Sequence, residues 1–354
     1  MRRVVCILSL PGALLSLGCS SSDPSASADD TNTTTSPTTS IGSEGDGDGD
    51  GDGDGDGDGD MKLDVAPAGD GDGDGDMGCQ KVDFLFVVDS SGSMSEHQEK
   101  LVAVFPGFLD AIQNTLDEAQ DYHVMVIDTD GDAAEVCEWW CDLGNPFCSG
   151  YTCDDNTNVW GVCDRTWGAG VVHPMGIDAA NAACGFEMGQ RWIASDNPDI
   201  DSLFSCAAKV GASHTDEWQF DALAASLSPT RLADCNAGFL RDDAILVVTF
   251  ITDEDDLTST TTAAQTRDAL VAAKNGDDTA IVMLGILSDV GLPNAVCLTT
   301  ESFPTEAPGV QDFVGSFPNE ARLSVCEDEA GFAAFFQAAV TTVADTCEAF
   351  VPVG

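Results

Sequence analysis

Three oxygen-bearing side chains fall at alternate positions in Asp89-Ser90-Ser91-Gly92-Ser93. One carboxylate and two hydroxyls at that spacing, on a tight turn, can converge on a single point. All three are hard donors, suited to magnesium, manganese or calcium and unsuited to zinc. Two serines neutralise no charge, so a cation held there stays electrophilic and can accept an anionic ligand from outside. A second acidic run, Asp253-Glu254-Asp255-Asp256, directly follows the clearest buried strand, 244–252 (AILVVTFIT). Asp255 and Asp256 could bind or tune an ion, but acids after a strand more often cap the following helix.

Catalytic constellations are sparse. The four histidines are His97, His123, His173 and His214, and none lies in a His-Glu-x-x-His motif. No Gly-x-Ser-x-Gly elbow occurs. His214 could assist a metal-bound water, although a loop histidine is more often simply exposed. The expectation is a protein that is not an enzyme.

The elements that must position these residues alternate. Residues 82–88 (VDFLFVV) form a nearly continuous apolar run, as a strand buried on both faces requires. A helix is predicted over 96–116, with Leu101, Val104, Phe105, Phe108 and Ile112 on one side, kinked or split at Pro106. Residues 123–127, 244–252 and 280–287 read as further strands, and 217–227 and 262–274 as helices. Phe332, Phe335, Ala339 and Val343 space a last amphipathic helix. This alternation predicts an α/β fold, doubly wound and Rossmann-like, with a mostly parallel sheet. In such sheets ligands bind outside the carboxyl ends of the strands, where both acidic motifs fall.

With its strand in front, FLFVVDSSGSM resembles the opening of von Willebrand factor type A domains, over most of residues 80–350. Asp89, Ser91 and Ser93 match the first part of that family's metal-ion-dependent adhesion site. The resemblance implies a threonine and an aspartate from two later loops. Asp253 matches the aspartate, and Thr215 in Gly211-Ala212-Ser213-His214-Thr215 is taken as the threonine, with Ser213 the alternative. It also implies a divalent cation, magnesium first and manganese or calcium next, whose shell an acidic side chain of a partner completes. The chain is similar to Gly-Asp-tethered, cysteine-rich lipoproteins of this class in predatory and social deltaproteobacteria. Because the family's termini lie close together, the resemblance implies a Cys79–Cys347 bridge.

Residues 131–206 depart from a minimal domain of this kind as an irregular, disulfide-rich insertion. They hold Trp139, Trp140, Trp160, Trp167 and Trp192, with Cys137, Cys141, Cys148, Cys153, Cys163, Cys184 and Cys206. Tryptophans and disulfides can staple a small core of their own or build a recognition surface for protein or glycan. Beyond the insertion lie Cys79, Cys235, Cys297, Cys326 and Cys347, the last two flanking the final helix. Twelve cysteines from Cys79 onward allow up to six disulfides in an exported chain, with no connectivity fixed by sequence.

Export is predicted by the start of the chain. Arg2 and Arg3 precede an apolar run ending in Leu15-Ser16-Leu17-Gly18-Cys19, which reads as a signal peptide over 1–19. The ending resembles a lipobox, with Cys19 the lipidated residue, although Ser16 stands where a branched apolar residue is usual. Ala26-Ser27-Ala28 is a rival cleavage site, farther from the apolar run. Residues 20–78 contain eight and then four Gly-Asp repeats and read as a disordered spacer before the domain at 79–354. The formal charge of −49, from 62 acidic and 13 basic residues, argues against nucleic acid and against direct binding to anionic lipid. The expected protein is an outer-membrane or cell-surface lipoprotein, the alternative being secreted or periplasmic. It binds a protein or glycan through a divalent metal and meets the membrane only through its lipid anchor. The alternatives are a scaffold with a structural metal and, less favoured, a metal-dependent hydrolase.

Overall fold

A computed structural model describes residues 80–115, 121–130, 161–212, 217–298 and 304–352. In chain order the elements are β1 (Lys81–Val88), α1 (Ser95–Thr115), β2 (Asp121–Asp128), β3 (Ile193–Ala194), α2 (Ile200–Ala207), α3 (Gln219–Ser226), α4 (Pro229–Ala233), β4 (Ile245–Thr252), α5 (Ala263–Ala273), β5 (Ile281–Leu287), α6 (Pro308–Val314), β6 (Asn319–Ser324) and α7 (Glu329–Ala349). The strands form one sheet in the order β3-β2-β1-β4-β5-β6. All pairs are parallel except the short antiparallel β2–β3 edge.

β1, β4 and β5 are apolar at nearly every position because both faces of the sheet are covered. Phe84, Phe86 and Val88 pack with residues of α1, α2 and α7, whereas Leu85 and Val87 pack with residues of α3, α5 and α6. Alternate residues of one strand therefore anchor two separate layers. Phe204 of α2 is fully buried, edge-on to Phe86 and stacked on Phe105. A ring buried in this way contributes about 1.5–3 kcal/mol. The strand order reverses between β1 and β4, which places the switch point of the doubly wound sheet between their carboxyl ends.

Several expectations change. α1 is one unsplit helix through Pro106. The proline lies on the exposed side, where water can hydrate the carbonyl its missing N–H leaves unpaired. Within the 131–206 insertion, residues 166–192 hold no helix or strand, as expected, but the segment then supplies the edge strand β3 and the core helix α2. Residues 131–160, with Trp139, Trp140, Trp160, Cys137, Cys141, Cys148 and Cys153, lie outside the described residues, as do the 1–19 leader with Cys19 and the 20–78 spacer. Disulfides join Cys163 to Cys235, Cys184 to Cys206 and Cys297 to Cys326. Cys347 is also disulfide-bonded and sits inside α7 rather than beyond it. Its expected partner, Cys79, lies outside the described residues. Among the described residues no helix is long and apolar enough to cross a membrane.

Candidate metal centre

The loops that leave β1 and β4 are locked together before any side chain enters the site. Asp89 N donates to Ile251 O at 3.0 Å, which fixes the end of β1 against β4. Gln98 of α1 donates from Nε2 to Asp89 O at 2.9 Å and to Gly211 O at 2.6 Å. That buried amide ties the β1–α1 turn to the segment leading into Ser213 and Thr215. Trp218 N donates to Thr129 O at 3.0 Å, which holds the start of α3 at the end of β2.

On this frame Asp89, Ser91, Ser93 and Asp253 come together. Ser91 Oγ lies 3.4 Å from Ser93 Oγ and donates to Asp253 Oδ1 at 3.4 Å. Asp89 accepts from Ser91 N through Oδ1 at 2.6 Å and from the Thr252 hydroxyl through Oδ2 at 2.5 Å. Asp89 and Asp253 are 0% and 1% exposed. Burial, then the neighbouring charge of Asp253, pushes the Asp89 carboxyl up to about 6. Burial raises Asp253 as well, and the hydroxyls of Ser93 and Ser91 hold that rise back.

Sequence reasoning missed Glu217, taken there only as the start of a helix. The structure carries its side chain into the cluster: one oxygen each from Asp89, Glu217 and Glu254 lie within 4.8 Å of one another. Glu217 is 3% exposed, and its Oε2 accepts from the hydroxyl of Thr129 and from N and Oγ of Ser90. Among the described residues its Oε1 has no hydrogen-bond partner. Burial first, and the charge of Asp89 next, hold this carboxyl well above its ordinary range. Thr252 and Gln98, which steady Asp89, were missed too. Their one signal was a polar residue at the end of an apolar strand or amid an apolar helix stripe. Thr215, Ser213 and His214 lie outside the described residues.

The donor set fits a hard divalent cation. It offers carboxylate and hydroxyl oxygens only, and the unpartnered Oε1 of Glu217 is the kind of buried atom that a bound ion satisfies. Two other acids of the run have different partners. Asp255 accepts from Gly309 N and Val310 N in the first turn of α6, at 3.1 and 2.9 Å. Gly309 permits the approach, because a Cβ there would stand 2.8 Å from Asp255 Oδ1. Asp256 accepts from Phe220 N of α3 at 2.7 Å. Both bind helix N-termini, as a cap does, but of α6 and α3 rather than of the next helix.

The remaining described histidines stand apart from this cluster. His123 Nδ1 lies 2.8 Å from Phe239 O, with its ring stacked on Trp192. Burial lowers His97 and His123 to about 4. Trp192 and Trp167, from the insertion, pack on His123 and Trp218.

No protein family and no curated protein matches the chain. Among solved structures it is similar to the pilus adhesin SpaC from Lactobacillus rhamnosus GG in its open conformation, at 14% identity and a TM-score of 0.37. The match covers 75% of this chain and 30% of the adhesin. A likeness at that score carries no argument about fold or function.

Proposed function

We propose that the protein is an exported binding module of the von Willebrand factor type A class that engages a protein or glycan through a divalent cation, magnesium first. The supporting observation is the meeting of Asp89, Ser91, Ser93 and Asp253 at the switch point of a doubly wound sheet. Asp89 and Asp253 supply the negative charge, and the serine hydroxyls add donors without neutralising the ion. Thr215 completes the set in this reading, and an acidic group of the partner takes the open position. Cys19 lipidation and the Gly-Asp spacer would hold the domain off the outer membrane. Catalysis is not part of the proposal.

A structural metal is the second reading, favoured by the near-complete burial of Asp89 and Asp253. One experiment separates the two. The protein is used to capture partners from matching cell surfaces, with magnesium and with chelator, as wild type and Asp89→Ala. Under the binding reading, capture needs magnesium and Asp89, and Asp89→Ala still melts like chelated wild type. A lowered melting temperature with capture intact would favour the structural metal. Recovery of the same partners in all four samples, with unchanged melting, would sink both.

A further inference from the structure

The feature of the centre that the Asp-Ser-Ser motif does not account for is Glu217. Its carboxylate is 3% exposed, with Oε2 held by Thr129 and Ser90 and Oε1 held by none of the described residues. The charges of Asp89, Asp128 and Asp130 all act to raise its carboxyl. Glu254, at the half-buried rim, brings a further carboxylate oxygen within 4.8 Å of those of Asp89 and Glu217. Among the described residues no basic side chain pairs with it, and a buried carboxylate among acids is destabilising unless a cation offsets it. Thr129, Ser90 and the Trp218 backbone nevertheless hold it there.

We propose that Glu217 is itself a ligand of the centre's divalent cation, binding through Oε1 beside Asp89, with Glu254 at the rim. This rests on the metal-centre reading above and changes its character. Asp89, Asp253 and Glu217 together exceed the charge of a divalent ion, so the chain retains the ion without help from a partner. A partner's acid then competes with Glu217 instead of filling an empty position. Calcium, which takes more oxygens in looser geometry than magnesium, tolerates such a set well.

The test uses the full exported chain, titrated calorimetrically with calcium chloride and separately with magnesium chloride. Each protein is also melted in chelator and in saturating ion. Glu217→Gln keeps the shape and removes the charge. We expect its affinity for the better-bound ion to fall about tenfold or more. In chelator it should melt at or above wild type, because a buried repulsion is gone, and in saturating ion it should melt below wild type. That reversal is the mark of a ligand, since a group that only braces the loop would lower both melts. Asp255→Asn, an acid at the same end that caps α6, should bind the ion as wild type does. Unchanged ion affinity in Glu217→Gln, or a lower melt in chelator, overturns the proposal. Asp89→Ala keeps the two readings distinct. Loss of binding there with none in Glu217→Gln leaves the centre standing without Glu217, and binding retained in both removes the centre itself.

Discussion

Asp83 and Asp89 occupy opposite ends of β1, and both are 0% exposed. Their surroundings differ. At the amino end Arg241 donates through Nε to Asp83 Oδ1 at 2.8 Å and through its backbone N to Oδ2 at 2.7 Å. The Lys274 ammonium adds its charge, while donating to the carbonyls of Arg241 and Ala244 at 2.8 and 2.6 Å. At the carboxyl end Asp89 meets an amide, a hydroxyl and further acids. Among the described residues no basic side chain pairs with Asp89, Asp253 or Glu217. Burial pushes both Asp83 and Asp89 up to about 6, with Arg241 holding the first down and Asp253 driving the second up. Charge that the chain balances with its own cations is architecture. Charge left unbalanced at the reversal of strand order is where the proposed cation would act.

The most severe way to probe that contrast is to unbalance the balanced end. Arg241→Ala leaves Asp83 buried without its partner, and breaking such a pair costs about 3–5 kcal/mol. Urea unfolding should show that loss equally with chelator and with magnesium, because the proposed ion site lies at the far end of β1. A loss under about 1 kcal/mol would mean that Asp83 is held by something other than Arg241.

A pH series gives a smaller effect with a definite sign. The Asp89 carboxyl rises from 3.8 to about 6 on folding. The stability it contributes is therefore present below pH 3.8 and is lost as pH rises through 6. Asp89→Asn does not titrate. In chelator the variant should gain on wild type between pH 4 and 6, by at most about 3 kcal/mol. Adding magnesium at pH 7 should shrink or reverse that gap, since the ion stabilises only the wild type. A gap that is flat with pH would show that Asp89 carries no unbalanced charge. At the other end His123 lies 3.7 Å from Asp83 and drops to about 4. Its contribution is lost as pH falls from 6.5 towards 4, opposite in sign to that of Asp83, so the amino end responds less.

Those two ends were unequally legible in the sequence. The central strands announced themselves because burial on both faces demands unbroken apolar runs, and β1, β4 and β5 fall within about a residue of their expected limits. Asp89, Ser91, Ser93 and Asp253 were legible because they follow those strands directly. β6 was not, since an edge strand with the sequence NEARLS carries charge on its open side. β3 has two residues and α2 eight, too short for periodicity to rise above a cysteine-rich background. Glu217 and Arg241 were invisible for another reason. Each acts on a residue more than a hundred positions away, Ser90 and Asp83 respectively, and only the fold makes them neighbours.

The mildest perturbation asks whether the acidic run after β4 divides as its contacts say. Asp253 faces the serines, whereas Asp255 accepts from the first turn of α6. Removing a capping acceptor costs about 1 kcal/mol. Asp255→Ala should lower stability by about that much, in chelator and in magnesium alike, with ion affinity unchanged. Neighbours two residues apart would then serve opposite ends of the comparison: one is balanced by helix N–H groups, the other awaits a cation. If Asp255→Ala weakens ion binding along with Asp89→Asn, the run works as a unit. The boundary between architecture and site would then fall beyond residue 255 rather than within the run.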